Sequence, residues 1–257
     1  MKMTSPSIRT ENLTIRFGGH AAVDNVSCAF VPGELSVIVG PNGAGKTTWF
    51  NLVSGQLKPT EGRVFKGEHD ITSLSASARA KAGIGRAFQL TNLFPRLTVL
   101  ENIRLTVQAK AGQGPSIFRR AASLTDLKEK AEGFLEATRL SSVAHLPAAA
   151  LPHGDQRKLE VAMLLAMEPD IFMFDEPTAG MSVDEAPVIL ELIAEIKKDV
   201  SKTILLVEHK MDVVRALADR IVVLHNGQLV ADGDPAEVMS LPIVREIYLG
   251  VSEEEAA

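Results

Sequence analysis

The chain has 257 residues, 46% of them hydrophobic and 23% charged, which suits a soluble globular protein with one large α/β domain or two small ones. Its formal net charge of −5 argues against a nucleic-acid partner, because binding phosphate backbones shows as an excess of Lys and Arg. Cys28 is the only cysteine, so an internal disulfide and a zinc site built on paired thiolates are excluded.

The histidines show no HExxH-type spacing, so a metalloprotease has nothing to stand on. The stretch Met1 to Glu11 is polar and lacks the apolar core of a signal peptide. No apolar run approaches the ~18 residues that span a bilayer. The sequence therefore predicts a cytoplasmic protein that reaches a membrane only through a partner.

In chain order, Leu13 to Phe30 alternates polar and apolar residues around Gly18-Gly19, predicting two antiparallel strands. Leu35 to Val39 is a short apolar run, as expected of a strand covered on both faces. It leads into Gly40-Pro41-Asn42-Gly43-Ala44-Gly45-Lys46-Thr47, which matches G-x-x-x-x-G-K-[ST]. Glycines let backbone N–H groups curl round a phosphate, and the helix predicted from Lys46 to about Gln56 adds its positive end. Lys46 suits the β- and γ-phosphates and the Thr47 hydroxyl suits Mg²⁺, with Thr48 closing the ATP-binding stretch. A glycine-rich turn is the alternative, but the loop sits between an apolar strand and a helix, as a phosphate loop requires.

Thr98-x-x-Glu101 reads as a capping box opening a helix. The stretch 98–165 has helical periodicity, broken by a loop at Gly112 to Ser116. A further strand, Asp170 to Phe174, delivers Asp175 and Glu176 at its carboxyl end, where α/β sheets place ligands. Asp175 suits Mg²⁺, directly or through water, and Glu176 suits polarising an attacking water. An acidic turn before Pro177 is the alternative, weakened by the phosphate loop upstream. Ser182-x-x-Glu185 caps a helix through Lys198, strands follow at Thr203 to Val207 and Arg220 to Leu224, and Asn226-Gly227 marks a two-residue hairpin. The acidic tail Ser252 to Ala257 reads as disordered.

From here the residues resemble the ABC ATPases, and the match covers nearly the whole chain. Gln89, in Gly85-Arg86-Ala87-Phe88-Gln89, looks like the glutamine loop that senses Mg²⁺ and the γ-phosphate. Leu151-Pro152-His153-Gly154-Asp155-Gln156 stands where the family carries LSGGQ, which puts His153, Gly154 and Asp155 on the ATP of a partner subunit. Ala179-Gly180-Met181-Ser182 stands at the dimer-contact loop, and His209 resembles the switch histidine. Phe17 occupies the position of the adenine-stacking aromatic, although a core strand residue would look the same. Two departures are evident. Pro152 replaces the signature serine, removing a hydroxyl and a backbone N–H, and Ser182 replaces the usual aspartate.

The resemblance implies a P-loop NTPase of the α/β class, with a RecA-like core, an antiparallel β subdomain and an inserted helical subdomain. The expected layout is one ATPase domain over 1–251, its core at about 1–90 and 166–250 and its helical part at about 90–165, before the tail 252–257. Arg16-Phe17-Gly18-Gly19, Gly154 to Glu160, Glu176 to Met181 and Ile247-Tyr248-Leu249-Gly250 resemble the ATPases of high-affinity branched-chain amino acid importers and their amide and urea relatives. What this implies is an ATPase powering import on the cytoplasmic face of the inner membrane, with ATP and Mg²⁺ as cofactors. Its partners would be transmembrane permeases, a second ATPase (a paralogue ahead of a self-copy) and, indirectly, a periplasmic binding protein. The lipopolysaccharide-exporter ATPase shares a similar ending but keeps an LSGGQ-like signature. One cassette with a single cysteine excludes the tandem ribosome-acting and zinc-bearing repair types, and Glu176, His209 and Gln89 together disfavour a dead nucleotide switch.

Overall fold

The computed structural model describes residues 7–87, 93–112 and 121–249. They divide into two compact units, one made of 7–84, 170–176 and 197–249 and the other of 85–87, 93–112, 121–169 and 177–196.

The first unit opens with β1 (Ile8–Phe17) and β2 (His20–Phe30), antiparallel and closed by the Phe17 to His20 pair. Next come β3 (Leu35–Val39), α1 (Lys46–Ser54), β4 (Glu61–Lys66), β5 (His69–Asp70) and α2 (Ala76–Lys81). The antiparallel sheet has the order β2-β1-β4-β5. Helix α1 stops two residues short of expectation because Gly55 turns left-handed (φ 81°) and its N–H, with that of Gln56, returns to the last-turn carbonyls.

The chain passes from the first unit to the second within β6 (Ile84–Ala87). The second unit holds α3 (Val99–Lys110), α4 (Ala121–Ala137) and α5 (His153–Ala166), and a later segment adds α6 (Ala186–Lys197). Val99, Ile103 and Val107 of α3 and Leu127, Ala131 and Leu135 of α4 recur every four residues, so each helix turns one stripe inward against Leu159, Ala162 and Ala166 of α5.

Thr98 caps α3 through its hydroxyl, which accepts from the Glu101 N–H at 3.2 Å, but the Glu101 carboxylate turns to Arg104 and leaves the box half made. The expectation at Ser182 changes as well. Its hydroxyl and N–H both donate to the Glu185 carboxylate, at 3.0 and 3.1 Å, and the helix begins only at Ala186. Pro187 explains the delay, since a residue without an N–H is tolerated in the first turn but not one turn further in.

Back in the first unit, β7 (Ile171–Asp175), β8 (Thr203–Val207), α7 (Met211–Leu217), β9 (Arg220–His225) and β10 (Gln228–Gly233) precede the terminal helices α8 (Pro235–Ser240) and α9 (Pro242–Leu249). The strands lie in the order β10-β9-β3-β8-β7, parallel except for the β9–β10 hairpin. All five residues of β3, β7 and β8 are buried, as a parallel sheet covered on both faces demands. Helix α1 lies within the core, with Trp49, Phe50, Leu52 and Val53 packed among residues of both sheets. A helix anchored by one apolar face in this way fixes the loop that precedes it.

Candidate functional site

Parallel pairing puts three carboxyl strand ends side by side. The register matches Ile38 of β3 with Val207 of β8 and Val207 with Asp175 of β7. The loop Gly40 to Gly45 leaves from β3, Glu176 follows β7, and Glu208 and His209 follow β8, which is where an open α/β sheet presents a ligand site.

Ala22, Asn42, Gly43, Ala44, Gly45, Lys46, Thr47, Thr48 and Glu176 line one cleft of about 190 Å³. That is smaller than the ~300 Å³ where pockets for whole small molecules begin, a size suited to a phosphate chain alone. Gly45 opens α1 at φ 96°, and a Cβ there would stand 2.4 Å from the Ala22 carbonyl oxygen, so only glycine fits. Lys46 is 7% exposed, and its ammonium donates to the carbonyls of Gly40 at 2.7 Å and Pro41 at 2.9 Å. Burial pushes its pKa down, while Glu176 and Asp175 pull it back up. A buried cation at the start of a helix, with two carboxylates near, is the chemistry that suits a phosphate chain accompanied by a metal.

Asp175 is buried at the end of β7, and Thr47 is the second residue of α1. Among the described residues no cluster of three or more His, Cys, Asp or Glu could hold a metal. One hydroxyl and one carboxylate are the sparse oxygen donors that suit Mg²⁺ completed by waters and substrate phosphates. Glu176 adopts a left-handed backbone, φ 47°, with its N–H donating to Val207 O at 3.0 Å. His209 Nδ1 stands 3.9 Å from Glu176 Oε1 and 3.5 Å from Glu208 Oε1. Glu208 was not anticipated from the sequence. Its side chain is 1% exposed and accepts from the N–H groups of His209 at 2.9 Å and Lys210 at 3.1 Å, fixing the turn that displays the imidazole.

Phe17 is 53% exposed at the end of β1, so it is not a core residue. Its hairpin carries Ala22 into the cleft wall. Gln89 lies outside the described residues. His153, Gly154 and Asp155 belong to the other unit, where they form the first turn of α5. Pro152 is the N-cap, with φ −56° and no side-chain cap bond. The Glu185 carboxylate sits against Gly154, and Asp155 pairs with Lys158 at 2.8 Å.

Residues 23–179 match the sequence pattern of the family described as ABC transporter. The chain belongs to that family. This ABC protein is 39% identical over 256 residues to the high-affinity branched-chain amino acid transport ATP-binding protein LivG of Escherichia coli K12, covering 96% of this chain and 99% of that protein. It is 36% identical over 256 residues to BraF of Pseudomonas aeruginosa, a protein of the same description, with 96% and 99% covered. A nucleotide-free ATP-binding cassette from an ABC transporter matches with a TM-score of 0.80 at 32% identity, over 96% of this chain and 100% of that one. A dimeric cassette in a post-hydrolysis state, bound to ADP and Pi, matches at 0.76 and 27% identity, over 88% and 98%. The fold is that of the P-loop ATP-binding cassettes, and the chain is a nucleotide-binding ATPase of this family.

Proposed function

We propose that this ABC ATPase powers the import of branched-chain or chemically related amino acids through partner permeases. The observation that carries the reading is the meeting of Lys46, Glu176 and His209 at three adjacent strand ends, in a chain whose relatives are named for branched-chain amino acid transport.

Two ATP molecules would be sandwiched between two cassettes arranged head to tail. Residues Gly40 to Thr48 hold the phosphates of one ATP, and Phe17 offers its exposed ring to the adenine. Thr47 and Asp175 would hold Mg²⁺, with Gln89 as its sensor, and the metal would neutralise phosphate charge. Glu176 orients the attacking water and accepts its proton, and His209 donates to the γ-phosphate. The N–H groups of His153, Gly154 and Asp155 open α5 toward the partner's ATP.

Among the described residues no helix is long and apolar enough to cross a membrane, so attachment to the inner membrane runs through the permease. Phe94 is the contact. It is 51% exposed, and the buried Asn102 clamps its backbone from both sides, accepting from Phe94 N–H at 2.8 Å and donating to Phe94 O at 3.2 Å. Its neighbour Leu93 packs on the helical core instead.

The deciding experiment is reconstitution of the assembled complex in proteoliposomes with its binding protein. Stimulation of ATP hydrolysis by leucine, isoleucine or valine supports the reading. Stimulation only by amides or urea, or by a lipopolysaccharide, replaces it.

A further inference from the structure

We infer that the Asn226-Gly227 turn is a positioning element of the phosphate loop, with Gly227 wedged behind Ala44 and Gly45 so that the loop keeps its nucleotide-binding shape. The inference rests on the reading of Gly40 to Thr48 as a phosphate loop.

The turn joins β9 to β10, with φ 48° at Asn226 and 77° at Gly227, the left-handed pair that a tight two-residue hairpin requires. It is bonded on both sides. Gly227 N–H donates to Ala44 O at 3.1 Å, and Gly227 O accepts from Asp24 N–H at 2.8 Å. A side-chain clasp reinforces the second contact, since Gln228 Nε2 donates to Asp24 Oδ2 at 3.0 Å while Arg16 holds Asp24 Oδ1 at 3.4 Å.

Three backbones meet there without space for one methyl group. A Cβ on Gly227 would lie 2.9 Å from Ala22 O and 3.1 Å from Ala22 C, and a Cβ on Gly45 would lie 3.3 Å from Gly227 Cα. Ala22 and residues 42–48 line the cleft, but neither Asn226 nor Gly227 does. The turn therefore touches nothing bound in the cleft and acts through Ala44, Gly45 and Ala22. A ring of N–H donors holds an anion only while the loop keeps its shape, and a displacement of a few tenths of an ångström behind it splays those donors.

The test uses the full chain, titrated with a fluorescent ATP analogue and Mg²⁺ alongside thermal unfolding. Gly227→Ala is expected to weaken binding at least about tenfold. The control is Gly67→Ala, where φ is 54° and an added Cβ meets nothing within 4 Å. It carries the same backbone strain without the contact, and its affinity stays within about twofold of the parent. In the unaltered protein, saturating nucleotide should slow hydrogen exchange of the Gly227 amide, although nothing in the turn lines the cleft. A folded Gly227→Ala that binds like the parent overturns the inference. So does a Gly227 amide that exchanges equally with and without nucleotide, which decides the matter if the variant fails to fold. Absence of saturable binding by the unaltered chain would remove the phosphate-loop reading and this inference with it, whereas parental binding with either negative result removes this inference alone.

Discussion

Glu176 Oε1 faces His209 Nδ1 across 3.9 Å, a carboxylate and an imidazole delivered by neighbouring parallel strands to the edge of one phosphate cleft. Replacing Glu176 with Gln keeps the shape and removes the proton acceptor, so turnover should fall about 10²–10⁴-fold with ATP binding retained. Lys46→Ala should weaken binding itself. Glu176 also sits at φ 47° before Pro177, a conformation costing about 1–2 kcal/mol outside glycine. Glu176→Gly should therefore be more stable than Glu176→Ala by about 1 kcal/mol in urea unfolding, with both inactive. Normal steady-state hydrolysis by assembled Glu176→Gln complexes would end the proposed role, and equal stability of the Gly and Ala variants would end the strain argument.

Arg79 ties the far end of α1. Its guanidinium, 1% exposed, donates to the carbonyls of Leu52 and Val53 at 2.7 Å each, Thr72 at 2.9 Å and Leu74 at 3.2 Å. Burial pulls its pKa down to about 10, with Asp70 opposing, and it stays charged at neutral pH. Arg79→Met strands several buried acceptors and should cost about 3 kcal/mol or more. Arg79→Lys should recover only part of that, because one ammonium cannot span the four carbonyls. Chemical denaturation ranks the three proteins, and a Met variant within 1 kcal/mol of the parent would show that the guanidinium is not what holds this end.

The sequence shows the phosphate loop plainly, because the chemistry restricts residue type at each position and an apolar strand precedes it. Asp175 and Glu176 are readable as the end of a buried run. His209 is readable only through its order in the family, since a histidine after a strand has many causes. Strand β4 escapes the alternation test because Val64 and Phe65 are both buried, Phe65 under the Arg9 guanidinium 4.0 Å from its ring centre. Gly227 behind Ala44 and Arg79 under α1 are pairings between distant segments, and residue periodicity carries no record of them. Glu208 is hidden differently: its role lies in two backbone bonds to its own neighbours, which a single sequence does not display.

Cys28 should be inert. The thiol is 5% exposed, and burial, helped by Asp232 and opposed by Arg220, raises its pKa from 9.0 to about 12. Only the thiolate reacts, so a disulfide reagent should label it in urea and not in buffer at pH 8. Between pH 9 and 12 the unfolded chain loses this proton while the folded chain keeps it. Stability therefore falls as pH rises, by up to about 1.4 kcal/mol per unit. Cys28→Ala should flatten that part of the slope. Identical pH slopes for the two proteins would show that another group causes the loss.

The permease contact is tested at Phe94. Its ring is half-exposed on a backbone that Asn102 fixes at both N–H and C=O, and apolar surface displayed this way fits a partner better than solvent. Phe94→Asp should leave the isolated chain folded and lower assembly with the permeases about tenfold or more. If affinity purification recovers the complex undiminished and ATP-driven uptake is unchanged, Phe94 is not the docking residue.

Pro152 leads to the last prediction. In a head-to-tail dimer each ATP is completed by the partner's signature, so the hydroxyl missing at Pro152 is lost to the other subunit's nucleotide. The structure gives α5 a cap with no side-chain hydrogen bond at this place. A hydrogen bond to a charged group is worth about 1.5–3 kcal/mol, or roughly 10–150-fold. A homodimer would carry that defect twice. Pairing with a paralogue whose signature is intact leaves one strong site, and the strong one is completed by this chain's Lys46 and Glu176. Disabling Glu176 here should therefore abolish more transport than disabling the equivalent glutamate of the partner, and Pro152→Ser should narrow the difference. Equal losses in the reconstituted transporter reject the asymmetry, and vigorous transport by a complex with two copies of this chain rejects the heterodimer.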